Sequence, residues 1–246
     1  MKRFLILQLR PEVEASDGEF RAFLKTGGLA ASDVHRLPLN QVPLPRDLTL
    51  SDYAGVIVGG GPGCVSDCPQ TRNPLEARME AQLLSLMPQI IAEDIPFLGC
   101  CLGIGVLGHY LDRAVSKDRY GEEAGLAQCQ VTPDGIADPL LKGMPHAFDA
   151  FVGHKEALQY LPEGCVHLVQ SDHCPFQMIR YRSNIYATQF HPEADGEEFS
   201  TRINMYRNKG YFPPEEVERL MALCRAADAA APPQIVKNFV ARYRAA

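Results

Sequence analysis

The chain has 246 residues, with 24 Lys and Arg against 30 Asp and Glu for a formal charge of −6, and is 46% hydrophobic and 22% charged. This excludes a largely disordered chain and leaves enough length to bury one large α/β domain or two small ones. The acidic balance argues against a nucleic-acid backbone as partner, and no apolar run approaches the roughly 20 residues of a membrane span.

Met1-Lys2-Arg3 leads into RFLILQL (3–9), which is short for an export signal and has no small-residue cleavage site. It is expected to be a buried strand of a cytoplasmic protein. Ser16, with Glu19 three positions on, predicts a capping box opening a helix that Gly27-Gly28 stops. A second strand is expected over 33–39, then a loop holding Pro43 and Pro45. AGVIV (54–58) reads as a third buried strand, running straight into Gly59-Gly60-Gly61-Pro62-Gly63. Asn73, Pro74 and Glu76 predict the N-cap, first-turn proline and first-turn acid of a helix carrying Met79, Leu83, Leu84 and Leu86. Pro88 should break or kink it. A short strand is expected over 96–99 and a helix over 102–111, and this alternation predicts a parallel sheet with helices on both faces. Beyond it, 127–132, 166–170, 176–181 and 185–190 read as strands, either antiparallel additions to the sheet or a small side sheet. After His191-Pro192-Glu193 the chain turns helical again, with Pro213-Pro214 and Pro232-Pro233 each opening a helix. With no repeat or linker, the expected organisation is a domain over 1–195 with a helical extension, 196–246, packed on it.

GCCLG (99–103) falls where a strand ends and a helix begins. Glycines two before and two after Cys101 allow the sharp turn of a nucleophile elbow, and aligned amides at the helix N-terminus stabilise a thiolate there. Cys100 becomes its buried neighbour. The competing reading is a core cysteine beside helix-packing glycines. QFHPE (189–193) closes an apolar strand, and in extended chain His191 and Glu193 face one side. Such a pair suits a base that takes the thiol proton and a carboxylate that orients it, although a strand-end histidine also serves purely structural roles. The loop 59–63 lacks the lysine and hydroxyl of a P-loop and the spacing of a dinucleotide fingerprint. Its remaining chemical use is to hold an oxyanion, with Gly61 one N–H donor and Leu102 the other; a plain turn is the alternative. All three features sit at carboxyl ends of predicted strands, where open α/β sheets place their sites. The order Cys, His, Glu differs from α/β-hydrolases, whose acid precedes the histidine. Eight cysteines are too few for a disulfide scaffold in this length, and Cys64 and Cys68 lack a second pair at finger spacing. Free thiols are expected, with neither metal nor cofactor.

On these residues the chain resembles the class I, triad-type glutamine amidotransferases, most of all stand-alone members labelled as the amidotransferase part of GMP synthase. The matching stretches are AGVIVGGGPGCVSD (54–67), PFLGCCLGIGVLGHYL (96–111), GEEAG (121–125), GHKEALQYLPEG (153–164) and CPFQMIRYRSNIYATQFHPE (174–193). No family motif matches after Asp195. The resemblance implies a flavodoxin-like α/β fold: an open, mostly parallel sheet with helices on both faces, additional antiparallel strands and C-terminal helices. It implies that Cys101 attacks the side-chain amide of glutamine with His191 as base and Glu193 behind it. Gly61 and Leu102 hold the oxyanion, and a γ-glutamyl thioester forms and is hydrolysed. It places Gly63 at the α-amino-acid end of the substrate, and His154 and Gln177 near the pocket, with a surface or core role the alternative for each. Where the family reads C-x-G-x-Q, Gly105 replaces the glutamine. That leaves glutamine bound by other groups, a larger γ-glutamyl compound filling the space, or a weakened enzyme.

The expected activity is hydrolysis of a γ-glutamyl amide, with ammonia passed to a separate synthetase partner or released by a free-standing hydrolase. The alternatives are a γ-glutamyl peptidase acting on glutathione-like conjugates, and a non-catalytic binding or redox-sensing protein in which Cys100 and Cys101 oxidise. The C-terminal helices are expected to cap the site, pack on the sheet or form a homodimer face.

Overall fold

The computed structural model describes residues 1–244, so the last two positions of the 196–246 extension lie outside the described residues. Four strands, β1 (Arg3–Gln8), β2 (Val34–Pro38), β3 (Tyr53–Val58) and β4 (Phe97–Cys100), pair in parallel in the order β2-β1-β3-β4. Seven strands follow: β5 (Val115–Ser116), β6 (Glu122–Val131), β7 (Ala147–His154), β8 (Ala157–Leu158), β9 (Cys165–Gln170), β10 (Met178–Tyr181) and β11 (Ile185–Thr188). β11 lies parallel beside β4 and turns the sheet over to an antiparallel half, completing the nine-stranded order β2-β1-β3-β4-β11-β10-β9-β6-β7. β5 and β8 form a separate pair.

The parallel strands are apolar along their whole length because both faces are covered. On β1, Phe4 and Ile6 face one core and Leu5 and Leu7 the other. The first core is closed by α1 (Val13–Gly27), through Phe23, and by a C-terminal helix through Ile235 and Phe239, with the Phe4 and Phe239 rings 6.1 Å apart. The second is closed by α2 (Pro74–Glu93), through Met79 and Leu83, and by α3 (Leu102–Asp112), through Ile104 and Leu107. After the short α4 (Pro133–Ile136), the chain's last helices are α5 (Gly196–Met205), α6 (Val217–Ala226) and α7 (Pro233–Tyr243), the last being the one that carries Ile235 and Phe239. α5 and α6 build a third cluster over β7, joining Phe199, Ile203, Leu220 and Cys224 to Phe151. No helix among the described residues is long and apolar enough to cross a membrane.

Four local expectations differ. α1 begins at Val13 behind Glu12, so Ser16 and Glu19 lie inside the helix, both fully buried, and form no capping box. α2 runs unbroken through Pro88, which sits on its exposed side, where water can reach the carbonyl left without a partner. β6 starts at Glu122, and its partner β7 went unread: glycine and aspartate interrupt its apolar pattern, AFDAFVGH. The strand expected over 185–190 ends at Thr188, whose hydroxyl donates to the Phe190 carbonyl at 2.9 Å as the chain bends away.

Candidate active site

Cys101 stands between β4 and α3 with φ 53° and ψ −98°, a conformation that costs a non-glycine residue energy and turns the side chain out of the strand. Of the flanking glycines the turn needs Gly99, where a Cβ would lie 3.0 Å from the Gly103 carbonyl carbon and 2.8 Å from Phe97 Cε1; a Cβ on Gly103 would meet Val58 only at 3.8 Å. The Cys101 amide donates to the Thr188 carbonyl at 2.8 Å, tying the turn to β11. Leu102 opens α3, where first-turn amides have no intrahelical acceptor. Cys100 faces the core instead, and burial pushes its thiol well above the usual range.

His191 is held by its amide, which donates to the Phe151 carbonyl at 2.9 Å. A Cβ built on Gly60 would lie 2.8 Å from His191 Cε1 and 3.5 Å from Cys101 Cβ, so the two side chains meet over that glycine and only a bare backbone fits beneath them. Nδ1 of His191 lies 2.9 Å from Glu193 Oε1. The two residues meet across a turn rather than along an extended strand, because β11 has already ended. Burial works against the imidazolium, but Glu193 and the Cys101 sulfur outweigh it and raise His191 to about 9. Burial likewise opposes ionisation of Glu193, yet His191 and Arg202 hold its carboxyl well below the usual carboxylate range.

Two arginines complete this arrangement. Arg202 of α5 donates from Nη1 to Glu193 Oε1 at 2.8 Å and from Nε to Glu198 at 2.8 Å. Arg10, 3% exposed, donates from Nε to Glu19 at 2.7 Å and from Nη1 to the Tyr206 hydroxyl at 3.2 Å. Glu19 also accepts from the Gly60 amide at 3.0 Å and Gln8 Nε2 at 3.1 Å, so α1 holds the glycine loop in place. Sequence reasoning missed all three residues. A signal existed for Arg202: Phe199, Arg202, Ile203 and Tyr206 fall at i, i+3, i+4 and i+7, which puts a charge on a buried stripe.

Two cavities flank Cys101. One, of about 400 Å³ including its open mouth, is lined by Arg10, His191, Phe199, Tyr206 and Phe212. The other, of about 300 Å³, is lined by Gly63, Leu102, Gly105, His154, Lys155 and Glu156; Gly61 borders both. The space a side chain at position 105 would take is occupied by Glu156, whose Oε1 lies 3.0 Å from a Cβ built there. Glu156 accepts from the Val65 amide at 2.9 Å and from the Ser66 amide and hydroxyl at 2.9 and 2.6 Å. Burial raises its carboxyl against these donors.

His154 borders the second cavity, with Nε2 2.9 Å from the Tyr120 carbonyl, and burial pushes it down to about 4. Gln177 borders neither cavity; its amide donates to Glu122 at 2.7 Å and Ser171 at 3.1 Å. Glu122, His154 and Cys174 place one ligand atom each within 4.8 Å of one another, a group that could hold a metal ion. In the structure Glu122 accepts from Gln177 and His154 Nε2 meets the Tyr120 carbonyl, while His154 Nδ1 is buried without a partner.

The family model for class-I glutamine amidotransferases matches residues 24–208. A glutamine-hydrolysing GMP synthase subunit from Methanocaldococcus jannaschii is 28% identical over 165 residues, covering 67% of this chain and 77% of that protein. The GMP synthase of Thermosipho melanesiensis is 32% identical over 152 residues, covering 60% of this chain; the match spans only 26% of that longer protein. Among solved structures, a glutamine amidotransferase from Thermotoga maritima gives a TM-score of 0.76 at 18% identity, covering 99% of this chain and 98% of that one. One from Methylobacillus flagellatus gives 0.68 at 21%, covering 100% and 95%. At these identities the two structures bear on the fold alone.

Proposed function

The chain belongs to the class I glutamine amidotransferase family, and from that membership we propose that it hydrolyses a γ-glutamyl amide through Cys101, His191 and Glu193. The observation that carries this reading is the meeting of Cys101 and His191 over Gly60, with Glu193 bonded to the far nitrogen of the imidazole.

In this reading Cys101 Sγ, as thiolate, attacks the γ-carbonyl carbon, and the amides of Gly61 and Leu102 take the oxyanion. His191 delivers a proton to the departing nitrogen, leaving a γ-glutamyl thioester. Water attacks the thioester with His191 as base, and glutamate leaves. Glu193 fixes the imidazole tautomer and steadies its charge, and Arg202 orients Glu193. The γ-glutamyl chain occupies the cavity bordered by Gly63, Gly105 and His154. Glu156, in the room left at position 105, offers a carboxylate to the substrate's α-ammonium group. Gln177 has no part in this pocket, its amide being committed to Glu122. That the Methanocaldococcus jannaschii relative is one subunit of a GMP synthase supports a separate synthetase partner that takes up the amine when it is ammonia. The deep burial of the Cys100 thiol speaks for catalysis by its neighbour over a paired-thiol sensor.

The test is an acid quench during turnover of L-glutamine followed by peptide mass spectrometry. The γ-glutamyl group is expected on the Cys101 peptide, with glutamate and ammonia released in equal amounts. A chain that neither releases glutamate nor gains the adduct on any γ-glutamyl amide overturns the reading.

A further inference from the structure

With their open mouths left out, the two cavities beside Cys101 shrink to about 40 and about 20 Å³. A water molecule needs roughly 10–15 Å³ of such space, so each holds water and neither admits a γ-glutamyl group. Cys101 is only 7% exposed and His191 5%. A substrate cannot reach this sulfur unless part of the wall moves. A third cavity, of about 470 Å³ on the same measure, lies outside the other two and is lined by Gly121, Glu123, Lys155 and Phe212; that is the size of a ligand cleft. Among the described residues, Tyr211 alone borders all three spaces. Its ring is the partition between the outer cleft and the reacting groups.

The partition stands on a lightly fastened turn. Tyr206 and Phe212 are buried at its two ends, whereas 207–210 between them are exposed. Gly210, next to the ring, has φ 74°, a left-handed conformation natural to glycine. Lys155 is the main fastening: its Nζ donates to the Lys209 carbonyl at 2.5 Å and stands 4.4 Å from the Tyr211 ring centroid. Lys209 also pairs with Glu12 at 3.4 Å, but both side chains reach solvent, so the pair holds weakly. A turn with exposed backbone and so few ties belongs to the least stable parts of a fold, those that open first. Burial and then the Cys101 and Cys64 sulfurs hold the Tyr211 phenol well above its ordinary range, in keeping with its place against the reacting groups.

Resting on the thioester reading above for what enters, we propose that Tyr211 is the gate of this site. The turn 207–211 swings out between its two buried anchors and joins the outer cleft to the inner spaces. A γ-glutamyl amide then passes from the cleft to Cys101, and the returning ring closes it in.

The test labels the full chain, without substrate, with iodoacetamide or the bulkier iodoacetanilide and follows each cysteine by peptide mass spectrometry. Exposed Cys68 reports on the reagent, and buried Cys100 and Cys129 report on unfolding. Tyr211→Ala is expected to speed iodoacetamide labelling of Cys101 about tenfold or more, as for a gate open about a tenth of the time or less. Cys68 should be unchanged, Cys100 and Cys129 unlabelled, and the gain with iodoacetanilide larger still. Lys155→Met keeps the ring but removes its fastening, so it should speed Cys101 labelling by a smaller factor. Should Tyr211→Ala label the buried pair as well, the Lys155→Met ratio decides. Unchanged Cys101 rates overturn the gate, as does an equal gain with both reagents, which would mean altered thiol reactivity and not altered access. Either result leaves the thioester reading standing, since alkylation needs no turnover. Faster Cys101 labelling with no glutamate from any γ-glutamyl amide sinks the thioester reading and leaves the gate.

Discussion

Cys101 holds a positive φ that costs a side-chain-bearing residue about 1–3 kcal/mol, offset by the packing of β4, β11 and α3 around it. Cys101→Ala and Cys101→Gly are both expected to abolish turnover, with the glycine variant showing the higher urea midpoint because it alone is free of that strain. Cys100→Ala is expected to keep most of the activity, and equal loss in the two alanine variants would contradict Cys101 as nucleophile. Arg202→Met leaves buried Glu193 with His191 alone to balance it and half-buried Glu198 without its bonded guanidinium, so a loss of about 3 kcal/mol in urea unfolding is expected, with kcat falling more than KM rises. An unchanged kcat would show that Arg202 does not orient Glu193. Cys101, His191 and Glu193 were legible because each lies within a short local pattern. Arg10, Glu19 and Arg202 were not, because their meaning lies in partners far along the chain, Arg10 and Tyr206 being 196 positions apart. Glu19 was misread outright: its spacing from Ser16 satisfied a capping rule while its carboxylate was committed to Arg10 and Gly60.

For the elements, the parallel strands and their helices could be read from apolar runs and glycine stops, since burial on both faces leaves little ambiguity. The antiparallel half was harder. β7 carries Gly153 and His154 where its end borders the second cavity, and half-buried Asp149 between buried Phe148 and Ala150. The junction of β4 and α3 depends on backbone contact at Gly99, whereas Gly125 of β6 has nothing within 4 Å of its Cβ position. Gly99→Ala is therefore expected to lower both the melting temperature and kcat, and Gly125→Ala to leave both near wild type. If the two variants behave alike, close approach is not what the GCCLG turn requires.

For the whole molecule, the site links pH to stability in two directions. His191 titrates at about 9 in the folded chain against 6.5 for the free side chain. Its contribution is complete below about 6.5 and is lost as pH rises through about 9, because the folded state holds the proton that the unfolded state has released. Glu193 is held below its ordinary 4.5, so its contribution is present above that value and lost as pH falls. Urea midpoints taken from pH 7 to pH 10 should therefore fall more steeply for the wild type than for His191→Ala; parallel curves would place the imidazolium elsewhere in pH.

Phe239 of the final helix packs on Phe4 of the first strand, and Arg202 reaches Glu193 from α5. During synthesis the flank of β1 therefore stays unsealed until the chain has been extended past Phe239. Cys101 is synthesised long before Arg202, whose guanidinium bonds Glu193 beside the His191 imidazole. Assembly of the candidate site thus waits on the docking of α5, made about 100 residues after Cys101.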